Sequence, residues 1–168
     1  MLPLPSAKPS YPTTTYVLPE IRPCDTILCM DVTLALLADY ANVTREGKLN
    51  VMGIFSIINA PVLPYTHPQM QLVLELEAGP AEWDMQKQVE VKLLDADGNA
   101  RFAITGNVKI PRGEAGRRVR LNSTMTIGNL RFDAEGDYVF TILVGGETKK
   151  EIPLRLNYVP PAPPATKT

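Results

Sequence analysis

A chain of 168 residues, with 17 basic against 18 acidic side chains and a net charge of -1, has room for one domain. The balanced charge supplies no field to draw it onto nucleic acid or an anionic membrane, and one histidine with two cysteines is too few ligands for a zinc site. No segment approaches the roughly 20 apolar residues of a membrane span, and Met1 to Ser10 lacks the basic and apolar regions of a secretory signal, so a cytoplasmic protein is expected.

Proline divides the chain in three. Six of the 16 prolines fall in residues 1–23 and four in residues 160–164. Residues 1–26 are therefore expected to form an extended N-terminal arm, residues 27–159 the domain, and residues 160–168 a second arm. Pro9-Ser10-Tyr11-Pro12, preceded by Lys8, and the Pro160 to Pro164 run match proline-type recognition peptides, a pattern that plain spacers share. Cys24 and Cys29 stand five apart. That is no CxxC pair, and they read as free thiols in a reducing compartment.

Within the domain, alternation of apolar and polar residues recurs almost throughout, as half-buried strands require. Val32 to Leu37 and Leu49 to Ile58 come first; apolar on nearly both faces, they are expected to be central or covered strands. Met70, Leu72, Leu74 and Leu76 then face one way, with Gln71, Glu75 and Glu77 facing solvent. Val89, Val91 and Leu93 follow, then Phe102 and Ile104, Val108 and Ile110, and Val119, Leu121, Met125 and Ile127. Tyr138, Phe140, Ile142 and Val144, and finally Ile152, Leu154, Leu156 and Tyr158, complete the set. Asp97-Gly98-Asn99 and Gly145-Gly146 supply the positive φ that tight hairpins demand. Only Ala78 to Gln88 is suited to a helical turn. About eight strands predict an all-β fold, an antiparallel two-sheet sandwich of immunoglobulin-like or C2-like type. Asp133 to Tyr138 is compatible both with a tyrosine corner, in which the phenol returns to upstream backbone, and with a plain hairpin carrying a core tyrosine.

Tests for chemistry come back empty. His67, in Pro64-Tyr65-Thr66-His67-Pro68, has no nucleophile motif to serve and reads as a packed or hydrogen-bonded turn histidine. Asp95-Ala96-Asp97-Gly98-Asn99 places oxygens at alternate positions, but a calcium loop begun at Asp95 would need Gly and Glu where Ala100 and Gly106 stand. It reads as a hairpin turn, leaving a weak ion site at Asp95, Asp97 and Asn99 open. Pro111 to Gly116 lacks the Lys-Ser or Lys-Thr of a phosphate loop. The basic cluster Arg112, Arg117, Arg118 and Arg120 has no interleaved aromatics and reads as a solvated loop.

Several stretches nevertheless form a recognisable set: Leu37 to Val43, Glu46 to Gly53, His67-Pro68-Gln69, Glu135 to Tyr138 and Gly146-Glu147. Over roughly residues 30–158 they resemble a prokaryotic family known only as a domain of unknown function. The resemblance implies a compact cytoplasmic β-sandwich and carries no reaction, cofactor or catalytic residue.

Three classes of function compete. The leading expectation is a non-catalytic structural or interaction module, part of a larger assembly, contacted through residues 1–26 and exposed strand edges. The second is a small-ligand or carbohydrate module using Trp83, Tyr65 or Tyr40. The third, an enzyme, would have to pair carboxylates among Glu75, Glu77, Glu82 and Asp84, which read as solvent-face charges. No catalytic, cofactor or metal residue is assigned, and neither nucleic acid nor membrane is expected as a partner.

Overall fold

The computed structural model describes residues 29–161. Residues 1–28 and 162–168 lie outside the described residues, and with them Cys24, the Pro9 to Pro12 motif and most of the proline-rich tail.

Among the described residues nine strands form two sheets. In chain order they are β1 (Asp31–Val43), β2 (Leu49–Phe55), β3 (Ile57–Ala60), β4 (Tyr65–Ala78), β5 (Gln86–Leu94), β6 (Ala100–Lys109), β7 (Val119–Phe132), β8 (Gly136–Val144) and β9 (Glu147–Tyr158). One sheet runs β2-β1-β4-β7 and the other β3-β9-β8-β5-β6. The order is that of an immunoglobulin-like sandwich, as the alternating pattern predicts. A single 3-10 turn, Pro80–Glu82, occupies the stretch suited to a helical turn.

The core is the inward row of each strand. Met70, Leu72 and Leu76 of β4 face Leu93 of β5, Phe140 and Ile142 of β8, and Leu154 and Leu156 of β9, all buried to within 1%. Truncating any one of the leucines to alanine leaves a void in a close-packed interior, at about 2–5 kcal/mol. The phenol of Tyr138 donates to the carbonyl of Ala134 at 2.8 Å, and its ring meets Phe132 edge-on with centroids 5.0 Å apart. Of the two readings of Asp133 to Tyr138, the tyrosine corner is therefore the one adopted.

Three expectations need correction. The strands number nine, because Leu49 to Ile58 splits at Ser56: β2 joins one sheet and β3 the other. Nor are all pairings antiparallel, since β3 runs parallel to β9, with Ile57 opposite Arg155 and Ala60 opposite Tyr158. Finally, β2 is an edge strand with exposed Met52 and Ile54, and only β1 is a central one. An apolar run on both faces cannot distinguish burial in a sheet from exposure on a ribbon.

The β1–β2 ribbon explains a further departure. β1 pairs with β4 as far as Ala38 opposite Gln71, then leaves it while staying paired with β2 out to Val43 opposite Leu49. The turn closes on Thr44, whose N–H donates to the Lys48 carbonyl and whose carbonyl accepts from the Gly47 N–H. A straight ribbon would carry this tip far from the row containing Leu34, Glu75 and Asn122. Instead the Asn122 amide donates to the Gly47 carbonyl at 2.8 Å. The ribbon must therefore bend back over the outer face of its own sheet. That cover accounts for Gln71 and Val73, which alternate outward from the core yet are 6% and 0% exposed. Gln71 meets its polar needs sideways, its amide donating to the Thr126 hydroxyl at 2.9 Å.

The bend lies at Asp39 and Gly53. Gly53 has φ +68, and a Cβ there would run into the Asp39 carboxylate. We expect Gly53→Ala to destabilise the domain by about 2 kcal/mol, the cost of a left-handed alanine plus the overlap, measured by urea unfolding. An unchanged unfolding midpoint would place the bend elsewhere.

Candidate functional site

At the bend the chain changes sheets, and several side chains converge. Asp39 of β1, Phe55 at the end of β2, Ile57, Ile58 and Asn59 of β3, and Tyr65 and His67 at the start of β4 line a cleft of about 240 Å³. The three aromatic rings cluster: His67 lies 6.0 Å from Phe55 and 6.1 Å from Tyr65 between centroids. Ile58 is buried at the floor and Ile57 is exposed at the rim. The Asn59 side-chain oxygen Oδ1 accepts weakly from the Asn157 side-chain amide at 3.4 Å.

His67 is indeed packed. Both ring nitrogens are shielded from solvent, and neither completes a well-formed hydrogen bond. Burial pushes the imidazole below its ordinary value of 6.5, against smaller opposing pulls from the backbone of Gln69 and the charge of Asp39. The ring is thus neutral at pH 7. Among the described residues Asp39 has no hydrogen-bond or ion-pair partner, its electrostatic neighbour being His67, and no lysine or arginine lines the cleft. The described walls therefore combine one carboxylate with three aromatic rings, an arrangement that prefers positive charge.

Sequence reasoning named Tyr65 and His67 separately and did not connect them to Asp39 or Phe55. The signal was present in another form: the stretches around Asp39, Gly53 and His67 that carry the family resemblance meet at this one place.

Other candidates resolve into structural roles. Asp95 accepts from the backbone N–H of Asp97 and of Asn99 and from the side chains of Asn99 and Arg101. Chiefly through the Asn99 backbone bond, its carboxyl is held below the usual carboxylate range. Both of its oxygens are committed to the β5–β6 turn. Among the described residues no three His, Cys, Asp or Glu side chains gather closely enough to hold a metal ion.

The four carboxylates considered for catalysis each have their own partner. Glu75 accepts from the Thr33 hydroxyl, and Glu77, Glu82 and Asp84 pair with Arg118, Lys87 and Arg112. Glu82 departs from expectation, being 5% exposed rather than a solvent-face charge, because the 3-10 turn tucks it under β5. The arginine loop is likewise engaged: Arg117 pairs with Glu114, and Arg118 also donates to the carbonyls of Cys29 and Glu77. Cys29 is a half-buried free thiol. Trp83 packs against the core, and Tyr40 stands exposed on the ribbon, remote in sequence and partner from Trp83.

A family model matches residues 33–157, three quarters of the chain. The protein belongs to DUF6941, a family of unknown function. No curated protein matches the chain. Among solved structures, it is similar to the alkylpurine DNA glycosylase AlkC of Pseudomonas fluorescens, bound there to DNA containing an abasic site analog, at 15% identity and TM-score 0.44. That match covers 79% of this chain and 31% of the glycosylase, so the chain spans about a third of that protein. An immunoglobulin-like protein from Pseudomonas aeruginosa matches at 11% identity and TM-score 0.38, over 76% of this chain and 96% of that one. A β-glucuronidase of glycoside hydrolase family 2 matches at 18% identity and TM-score 0.30, over 56% of this chain and 11% of that one. No helix among the described residues is long and apolar enough to cross a membrane.

Two outcomes follow for this DUF6941 member. Its stability should fall more steeply than that of His67→Gln as pH drops below 6.5, because only the unfolded chain then takes up the imidazole proton. Parallel melting curves for the two proteins between pH 7 and 5 would show that the ring titrates freely. Calcium or a chelator should leave the melting temperature unchanged; a calcium-dependent rise would mean that the Asp95 turn opens to bind the ion.

Proposed function

We propose that this protein is a non-catalytic interaction module that recruits a partner along one flank of its sandwich. The observation that carries the reading is the pair of open edges there. Among the described residues β7 is paired on one side only, with β4, and β6 on one side only, with β5. Because β1 approaches β9 across the sandwich, β7 and β6 close the same flank.

Natural edges are usually blunted by charge or proline. Here Leu121 to Leu130 of β7 and Phe102 to Val108 of β6 contain neither. Two long uncharged ladders of unpaired backbone therefore stand side by side, suited to accepting an extended segment as an added strand. The exposed Tyr40, Met52 and Ile54 on the bent ribbon add apolar surface on a neighbouring face. Residues 1–26, the other expected contact, lie outside the described residues, and the proposal rests on the edges. Assignment to the cytoplasm belongs to the same reading, supported by a half-buried free thiol at Cys29.

Lysine on each edge tests the idea. Thr105→Lys, at an exposed site on β6, should leave the melting temperature within about 2 °C, and together with Thr124→Lys, which neighbours the covered Val73 and is compared well below its own melting temperature, it should weaken self-association or partner capture at least about tenfold, read by light scattering and pull-down with the full chain. Association that is indifferent to both charges would reject edge recruitment.

A further inference from the structure

We propose that the cleft at the β1–β2 bend is a binding site for an organic cation, a guanidinium or alkylammonium head. This goes beyond the assembly reading and does not depend on the strand edges.

The residues argue for positive charge in three independent ways. Asp39 brings a carboxylate with no hydrogen-bond or ion-pair partner among the described residues, held beside the Gly53 backbone and electrostatically coupled to His67. Phe55, Tyr65 and His67 bring aromatic rings, His67 lying about 6 Å from each of the other two, and aromatic faces attract cations through their quadrupoles. None of the described residues lining the cleft is lysine or arginine, so those walls carry one negative charge.

Size narrows the class. A volume of about 240 Å³ lies below that of drug-sized pockets and suits a single side-chain-sized head. The apolar floor at Ile58 and the rim at Ile57 would pack on the aliphatic stem of such a group, as the stems of lysine and arginine pack on apolar surface elsewhere. An anion is disfavoured by Asp39, and a neutral sugar would leave that carboxylate's charge unanswered.

Position adds a consequence. Asp39 also forms the bend, so a cation that neutralises it would act on the hinge that folds the ribbon over Gln71 and Val73.

The test is a titration followed by amide and aromatic NMR shifts, using acetyl-arginine amide and its uncharged isostere, acetyl-citrulline amide. Saturable shifts at Asp39, Phe55, Tyr65 and His67 are expected with the arginine compound at millimolar concentration and not with citrulline. Asp39→Asn should weaken binding roughly tenfold and Tyr65→Leu roughly threefold. The same spectra report whether each variant is folded, and the second variant stands in should the first unfold. Agmatine and a blocked Gly-Arg-Gly tripeptide then separate the sources. Tighter binding of the tripeptide assigns the cation to a polypeptide side chain, tighter binding of agmatine to a small molecule, and either supports the site. No saturable shift, equal response to citrulline, or unchanged affinity in folded Asp39→Asn would overturn it. None of these outcomes bears on the edge-lysine experiment, so either proposal can fail alone.

Discussion

The contact on which this architecture turns is the apposition of Gly53 and Asp39. A backbone at φ +68 with a carboxylate where a Cβ would sit is open only to glycine, and it redirects a two-stranded ribbon. Without that bend, β1 and β2 would project past the sandwich and expose Val73. With it, the ribbon lies on the outer face of the sheet, the Gly47 carbonyl reaches Asn122, and β2 is aimed at the point where the chain crosses to β3. The same turn of the chain sets Asp39 and Phe55 against Tyr65 and His67. Fold and candidate site therefore share one local constraint.

How much of this the residues announce depends on the range of the interaction. Alternation is a property of four to eight neighbouring residues, and it located Met70 to Leu76, Val89 to Leu93 and Tyr138 to Val144 with their buried faces correct. Positive φ at Gly98, Gly145 and Gly146 was equally legible, because hairpin turns are built from adjacent residues. Gln71 defeated the pattern for a reason it could not contain. Its solvent face is covered by a ribbon 20 to 30 residues earlier in the chain, and no local period encodes a bend that depends on Asp39 meeting Gly53. Leu49 to Ile58 failed similarly: one apolar run served an exposed edge strand and a parallel strand on the opposite sheet, divided by Ser56. The cleft needed three separated stretches, at Asp39, Phe55 to Asn59 and Tyr65 to His67, to be brought together, so its members were visible only singly.

The charged residues show how composition alone can mislead about chemistry. Glu77, Glu82 and Asp84, read as solvent-face charges, and Arg112, Arg117 and Arg118, read as a solvated loop, each take a charged partner: Glu77 with Arg118, Asp84 with Arg112, Glu82 with Lys87 and Arg117 with Glu114. Asp95 spends its oxygens on its own turn. Asp39 stands apart from these groups because no described residue pairs with it. The flank of β6 and β7 and the cleft at the bend are two places where interactions among the described residues are incomplete, one in backbone hydrogen bonds and one in charge.

The bend itself is the claim most directly measurable. An isotope-edited NOE between the side-chain amide of Asn122 and the backbone protons of Gly47 and Lys48, 75 residues apart in the case of Gly47, reads the folded-back ribbon without perturbing it. The account predicts a strong cross-peak together with slow amide exchange at Val73. Absence of the cross-peak, with fast exchange at Val73, would mean that the ribbon projects into solvent and that the cleft at its base does not form.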